Sequence, residues 1–422
     1  MNNASPVIIL LLPKTSYRNQ DFLAAAGALG MDVLAVQNNC HVLAESWNGA
    51  PLLSLPFDDP KVLVETVRRH VADSKVAAVI GVDDSGAAIA QQLAQALGVA
   101  ANNPAAAQTL GNKWRFRQLQ YRLRLPAPNT VRVAADTDIT ESPVGAYPLV
   151  AKPLRLSASQ GVIRVDHPGQ LPAVLQRIRH ILRAQNVPPD ERTLLLEDFI
   201  AGKEYALEAV MHHGKLHTLA LFEKPEPLDG PFFAETVYVT PPDLELAQQQ
   251  EFSRQVELLC REAGWLNGPV HAEARVEPGR VTMLEIAPRT IGGLCSRLLI
   301  PLLGRSLESL VLDQALGRFE PLETASGAAG VYMIPVPHPG LFESVEGLEQ
   351  AQNIPGITGI TITASVDEPL EPLPEGNKYV GFVFAAADDA TKVKSALAQA
   401  QGCLQVRLRR MLAPASSVQS VA

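Results

Sequence analysis

Runs of Val, Ile, Leu and Ala at Val7–Leu12, Met31–Val36 and Val76–Val82 most narrow what this chain can fold into. Each is strand length and carries no polar face, so each is buried on both sides. Helical stretches alternate with them: Asp21–Leu29 ended by Gly30, Pro60–Val71, and Ser85–Leu97 stopped by Gly98. Strands apolar on both faces and interleaved with helices predict a doubly wound parallel sheet over the first ~105 residues. The first strand-to-helix turn, Pro13-Lys14-Thr15-Ser16-Tyr17, contains no glycine. The dinucleotide fingerprint is therefore missing, and NAD binding is not expected there.

The middle of the chain changes character. Pro148–Pro153 and Val162–Val165 read as strands around the small-residue loop Leu154–Gly161. A helix at Leu171–Ala184 and a strand at Thr193–Ile200 follow. Glu204–Met211 and Leu216–Phe222 are strand-like, and Ala247–Ala263 has the pattern of a long amphipathic helix. Val270–Val276 and Val281–Ile286 flank Pro278-Gly279-Arg280, which predicts a β-hairpin. Leu307–Leu316 is helical, and the last ~90 residues mix short strands with one helix, Ala390–Gln399. The small polar stretch Ala413–Ala422 is expected to fray. The sequence contains no internal repeat.

With 422 residues and 47% apolar content the chain has material for two to four domains and several cores. A net charge of −8 argues against a general nucleic-acid binder. Cys40, Cys260, Cys295 and Cys403 lie far apart with no C-x-x-C, which excludes a disulfide scaffold and disfavours structural zinc. Val7–Leu12 is too short for an export signal or a membrane span. The expectation is a reduced, cytoplasmic chain with no membrane partner.

Glu273 and Glu285 carry the sharpest chemical signal. With a three-residue loop at 278–280 they stand directly opposite each other, on one face and ~5 Å apart. Two such carboxylates repel unless they share a proton or a cation. A hard divalent ion bound also by phosphates suits so sparse a ligand set better than a calcium cage does. The alternative is a pair of solvated glutamates matched with Arg275 or Arg289. Lys152, followed by the Ser157-Ala158-Ser159-Gln160-Gly161 loop, has the make-up of a phosphate cradle. Small hairpin loops are common, however, and Lys113 at the start of a helix is equally ambiguous by itself.

Taken together the pieces resemble the ATP-grasp ligases over nearly the whole chain. The matching order is Gly111-Asn112-Lys113, Ala151-Lys152-Pro153 with its loop, Glu197-Asp198-Phe199-Ile200, Gly202-Lys203-Glu204, Glu273, and Glu285-Ile286-Ala287-Pro288-Arg289. Asp83-Asp84-Ser85-Gly86, Gly98-Val99, Asn103-Pro104, His271 and Gly292-Gly293-Leu294 are similar to the carboxylate–amine branch, the L-amino-acid (dipeptide) ligases.

The resemblance implies a role for each position. Lys113 and Lys152 would contact ATP phosphates, and Ser157, Ser159 and Gly161 would belong to a lid closing over them. Glu197, Asp198, Phe199 and Ile200 would form the adenine hinge, with the backbone at 197 and at Phe199 or Ile200 reading the base. Glu204 would take the ribose hydroxyls, and Glu273 and Glu285 would hold Mg²⁺, or Mn²⁺ in its place. Arg289 would grip the transferred phosphate, since its donor fork suits that task better than a lysine. His271 shares a face with Glu273 by period two and is either a catalytic contact to substrate or a satisfied structural histidine. Ala287 stands where many relatives have a metal-ligating Asn, which leaves one or two bound ions open. Gly293 stands where biotin carboxylases place their base, so bicarbonate activation is not expected, and the two glycines leave room for an organic substrate.

Other residues read more plainly. His212, His213 and His217 surround an exposed turn at Gly214-Lys215, and Trp114 and Trp265 are packing residues. Cys295 is a buried small residue, since nothing near it in sequence supplies a base. Lys224 stands either near the site or on the surface.

The expected fold is ATP-grasp, mixing α/β and α+β. It comprises a pre-grasp domain over 1–108, the grasp domain over 109–320 with its lid at about 130–198, and a C-terminal α+β domain with antiparallel sheet over 321–412. The expected activity is ATP-dependent joining of a small carboxylate, such as an amino acid, to an amine through an acyl phosphate. The alternatives are a purine-pathway ATP-grasp enzyme, which needs a basic cluster at the substrate end, and a nucleotide-binding regulator without turnover. A homodimer is the base-rate expectation.

Overall fold

The computed structural model describes residues 6–14, 16–38, 51–134, 137, 139, 143–322 and 326–410. The expected tail at 413–422 lies outside them, as does Cys40. Strand β1 (Val7–Leu12) pairs in parallel with β2 (Asp32–Gln37) and β4 (Val76–Gly81), and β2 pairs with β3 (Leu52–Ser54). Ile8 to Leu12 are wholly buried, because helices cover both faces of this sheet. Helix α1 (Asn19–Ala28) packs on one face, and α2 (Pro60–His70) and α3 (Asp84–Ala96) pack on the other. Asp83 caps α3 by accepting from the N–H groups of Ser85 and Gly86. Gly81 and Gly86 let β4 and α3 meet: a Cβ on Gly81 would fall 2.5 Å from the Gly86 carbonyl carbon.

Helices α4 (Pro104–Gly111) and α5 (Lys113–Arg122) lead to a four-stranded antiparallel sheet. Its strands are β5 (Thr130–Ala134), β6 (Leu149–Pro153), β7 (Ile163–Val165) and β8 (Thr193–Asp198), in the order β5-β8-β6-β7. Helix α6 (Leu171–Ala184) buries Leu171, Leu175, Ile178 and Leu182 against it.

An eight-stranded sheet forms the body of the molecule, in the order β13-β12-β9-β10-β11-β14-β18-β16. It begins with β9 (Lys203–His212), β10 (Lys215–Glu223) and β11 (Val237–Thr240). Helix α7 (Leu246–Ala263) precedes the hairpin of β12 (Gly268–Glu277) and β13 (Arg280–Ala287). Helix α8 (Leu307–Ala315) returns to the N-terminal domain. The sheet is completed by β14 (Ala328–Ile334), β16 (Ile357–Ile362) and β18 (Gly381–Ala387). A side sheet of β15 (Gly340–Glu346), β17 (Pro369–Leu370) and β19 (Gln405–Arg409), with helix α9 (Ala390–Cys403), finishes the chain. No helix among the described residues is long and apolar enough to cross a membrane.

The hairpin corrects one expectation while keeping its consequence. Its loop has two residues, not three: Glu277 pairs with Arg280 and Val276 with Val281. A regular ladder from that turn would set Glu273 opposite Leu284. Instead Leu284 is the extra residue of a β-bulge, and Glu273 pairs with Glu285. Bulges re-aim side chains beside active sites, and here Leu284 and Glu285 both face the same cavity.

Candidate functional site

A cavity of about 530 Å³ lies between the N-terminal domain, the four-stranded lid sheet, the large sheet and the C-terminal segment. That volume suits a nucleotide or a substrate of similar size. Every candidate residue from the sequence lines it except Gly161. Gly161 (φ +72°) points its N–H to Pro374 O, 3.0 Å away.

The Ser157–Gly161 loop has an unusual backbone, and the N–H groups of Gln160 and Gly161 already donate to Ser157 O and Pro374 O. Leu156, Ala158 and Ser159 join Gly161 at positive φ, three of them without the freedom of glycine. Such strain concentrates where a loop must present its N–H groups to a ligand. Ser157 and Ser159 line the cavity, and Lys113 Nζ donates to Leu156 O at 3.0 Å, tying α5 to the loop.

Beneath the loop, Lys152 and Glu197 sit on neighbouring strands of the lid sheet. Lys152 Nζ is 2.5 Å from Glu197 Oε2, and the fully buried Arg117 forks onto both carboxylate oxygens at 2.8 and 3.2 Å. Burial would raise the Glu197 pKa, but Arg117 and Lys152 outweigh it and hold it at about 2. Burial, helped by the nearby Arg117 charge, pulls the Lys152 pKa below its ordinary value despite Glu197. Glu197 itself is in register with Thr130 on one side and Val150 on the other. Its backbone therefore belongs to the sheet, and the expected role in reading the adenine edge does not fit it. The Phe199 N–H donates to Pro148 O at 3.2 Å, which leaves Ile200 as the hinge residue for that task. Asp198 accepts from Asn129, and Phe199 lies between the guanidinium groups of Arg164 (4.4 Å) and Arg275 (4.9 Å).

The far wall is a buried cluster of charge. Lys224, which the sequence left between site and surface, is buried. Its Nζ lies 2.6 Å from Glu204, 2.8 Å from Glu235 and 3.2 Å from Glu273. These carboxylates outweigh burial and keep the lysine charged, with its pKa well above the ordinary value. Glu204 also accepts from Arg275 Nε at 3.3 Å. Burial and the neighbouring Glu235 carboxylate push the Glu273 carboxyl well up, and Glu285 and Glu204 add to this although Lys224 opposes it. One oxygen each of Glu204, Glu235 and Glu273 lies within 4.8 Å of the others. Lys224 already meets the charge of these three, and Glu285, in register with Glu273, adds the further carboxylate that a divalent cation between the paired strands would use.

His271 also lines the cavity, but both ring nitrogens meet carboxylates: Nδ1 with Glu208 at 3.1 Å and Nε2 with Glu273 at 3.3 Å. In this arrangement it fixes Glu273 rather than facing a substrate. Glu208, fully buried, also accepts from the Ile291 N–H at 3.1 Å and so holds the segment after Arg289. Arg289 Nε donates to Asp84 at 2.9 Å and Nη1 to Thr290 O at 2.9 Å, and Arg18 Nη1 reaches Thr290 O at 2.7 Å. The two glycines differ. A Cβ on Gly292 would meet open space, whereas one on Gly293 (φ +62°) would fall 2.7 Å from the Phe382 ring. Only Gly292 leaves the room expected of both.

Burial raises the Cys295 thiol pKa far above its ordinary value, which fits a packing residue. The turn expected at Gly214-Lys215 falls one residue earlier, at His213-Gly214 between the paired His212 and Lys215, and the His212 ring packs against His213 and Phe319. Sequence reasoning missed Arg117, Glu208 and Glu235, whose ionic partners Glu197, His271 and Lys224 lie 80, 63 and 11 residues away. No local motif marks them.

A family model for the ATP-grasp domain matches residues 145–297, and one described as L-amino acid ligase C-terminal domain 2 matches residues 332–409. Dapdiamide A synthase of Enterobacter agglomerans is 23% identical over 418 residues, covering 94% of this chain and 96% of that protein. D-alanine–D-alanine ligase B of Chromobacterium violaceum is 27% identical over 205 residues, 46% of this chain and 62% of its own length. The crystal structure of L-amino acid ligase from Bacillus licheniformis superposes with a TM-score of 0.79 at 22% identity, over 97% of this chain and 100% of that one. With the Ser157–Gly161 loop, the paired glutamates and the arginine on one cavity, this chain carries an ATP-grasp domain over 145–297 and an L-amino acid ligase C-terminal domain over 332–409.

Proposed function

We propose that this protein is an ATP-dependent carboxylate–amine ligase acting on small molecules, with an amino acid as the acid component. The γ-phosphoryl of ATP passes to the substrate carboxylate and ADP leaves. The amine then attacks the acyl carbon, loses a proton and expels phosphate, so an amide remains. The observation that carries this reading is the Glu273–Glu285 pair sharing one cavity with Lys152, Arg289 and a strained lid loop. The relatives support it, since one is named dapdiamide A synthase and the other D-alanine–D-alanine ligase B.

Glu273 and Glu285 would hold Mg²⁺ or Mn²⁺, which when bound neutralises phosphate charge. The protein's own groups do the rest by position and charge. Lys113, Lys152 and the N–H groups of the loop at Ser157 and Ser159 would receive the phosphates. Ile200 and Glu204 would take the nucleoside. Arg289, held through Nε by Asp84 and through Nη1 by Thr290, would turn Nη2 to the phosphoryl oxygens. Acyl phosphates hydrolyse, so a closing lid has a chemical purpose.

The purine-pathway alternative asks for free basic residues at the substrate end. Arg18, Arg289 and Lys378 stand there, paired with Thr290, Asp84 and Glu368, and dependence of turnover on amino acids separates the two readings. Phosphate release from Mg·ATP, measured across a panel of single and paired amino acids with mass detection of the product, tests the proposal. Amino-acid-dependent phosphate with a new amide mass is expected. Phosphate release that no amino acid stimulates would sink it.

A further inference from the structure

The lid sheet does not close the cavity by itself. Its loop and its helix α6 both end on one short segment of the C-terminal domain, Pro372–Lys378. Arg177, in the middle of α6, forks onto Glu375 with Nε–Oε1 at 2.6 Å and Nη2–Oε2 at 2.9 Å. The Gly161 N–H donates to Pro374 O at 3.0 Å. The Gln160 amide, almost wholly buried, donates to Glu375 O and accepts from Asn377 Nδ2 at 3.4 Å. Five bonds therefore converge from the lid on Pro374, Glu375 and Asn377, 198 to 217 positions later. Asn377, Lys378 and Tyr379 continue directly into the wall of the cavity.

The character of these contacts decides what they do. Arg177 and Glu375 keep 44% and 29% of their side chains exposed. An ion pair so open to solvent adds little to the stability of the fold and is screened by salt. Its bidentate geometry nevertheless fixes direction. Among the described residues the lid core of Leu149, Ile163, Leu175 and Leu196 takes in Phe232 from outside the lid but nothing from Pro372–Lys378, so no apolar core spans this seam. Polar contacts that are weak singly and specific jointly make a joint that can open and re-form.

We infer that Arg177 and Glu375 are positioning residues, forming a latch by which the C-terminal domain holds the lid loop shut over the cavity. The inference rests on the ligase reading for its chemical purpose. While the latch is closed, water is kept from the acyl phosphate. When it opens early, water attacks the acyl carbon, and free acid and phosphate are released without an amide.

Charge reversal tests the latch. Arg177→Glu and Glu375→Arg each set like charges across the seam, and the double variant restores opposite ones in swapped positions. Limited proteolysis within 154–162 is followed with Mg·AMP-PNP bound, a readout independent of turnover. Each single variant is expected to be cut about fivefold faster than wild type, and the double variant within about twofold of it. Arg407→Glu breaks a similar exposed fork, to Glu346 (2.8 and 2.7 Å), away from the lid, and is expected to change nothing. In the amino-acid panel the single variants are expected to form more ADP per amide, and the double to recover coupling. Single variants cut at the wild-type rate, or a double no better than the worse single, would overturn the latch. Faster cutting with rescue, in a protein that makes no amide from any amino acid, supports the latch and removes the ligase reading instead.

Discussion

Arg117 and Glu197, eighty positions apart, meet as a two-bond fork with the guanidinium entirely out of solvent. A guanidinium so placed has no water to fall back on, and neither has its partner. Arg117→Met is therefore expected to cost about 3–5 kcal/mol, the range for breaking one side of a buried pair. It should also change the response to acid. Glu197 has its pKa held at about 2 against an ordinary 4.5. The stability it contributes is thus present above pH ~4.5 and lost as pH falls towards 2. Without Arg117, burial acts less opposed, and the acid unfolding midpoint should move to higher pH. Urea melts between pH 7 and pH 3 measure both effects. An unchanged midpoint would mean that Lys152 alone sets the charge of Glu197.

Lys224 makes a contrasting case, because a metal ion can stand in for it. Lys224→Met leaves Glu204, Glu235 and Glu273 buried without their shared cation. In metal-free buffer the loss should again be about 3–5 kcal/mol. Adding Mg²⁺ to about a hundred times its dissociation constant should return about 2.7 kcal/mol. The wild type, whose cluster already holds an ammonium, should gain less. Thermal melts with and without Mg²⁺, and no nucleotide, compare the two.

Glu285→Gln separates catalysis from folding. Removing one charge of the opposed pair relieves repulsion on Glu273, so melting should hold or rise. Turnover at saturating Mg²⁺ should fall by at least ~10²-fold, the scale of losing one preorganised electrostatic contact. Near-normal turnover would remove Glu285 from the metal site.

Arg289→Lys should fail nearly as badly as Arg289→Ala. The guanidinium reaches Asp84 with Nε and Thr290 O with Nη1, and the residue lines the cavity. A lysine placed to satisfy Asp84 cannot also face a phosphoryl group with a second fixed donor. The lysine variant should lose kcat with only a modest change in KM for ATP, as expected for a contact made mainly in the transition state. A variant within a few-fold of wild type would reduce Arg289 to a counter-charge for Asp84.

The adjacent glycines should respond differently to one added methyl group. Gly293→Ala meets both a left-handed backbone and the Phe382 ring, and should cost about 1–3 kcal/mol. Gly292→Ala meets neither and should melt like wild type. Any loss in that variant should fall on KM for the substrates. Denaturant melts and steady-state kinetics on the two proteins check this.

What could be read from the chain in advance follows physical lines. The strand Val7–Leu12 was legible to the residue because both its faces are apolar and Pro6 and Pro13 bound it. The opposition of Glu273 and Glu285 was legible from alternation along a hairpin, although the turn is one residue shorter and a bulge at Leu284 makes up the difference. That bulge had no sequence signal, since Leu284 is an ordinary strand residue. Arg117 and Glu208 were hidden for another reason. A charged residue within a helix or strand reads as solvent-facing until the fold shows what lies over it.

The large sheet has a consequence for how the molecule must be made. Its eight strands come from both sides of residue 321, and β14 lies hydrogen-bonded against β11. A chain released after the grasp domain would leave the four-residue β11 as a bare edge, open to pairing with another copy. During synthesis the sheet cannot be completed until β18, ending at Ala387, has left the ribosome. So many late, non-local pairings predict slow folding and a period of dependence on chaperones, which excising the C-terminal domain would prolong rather than shorten.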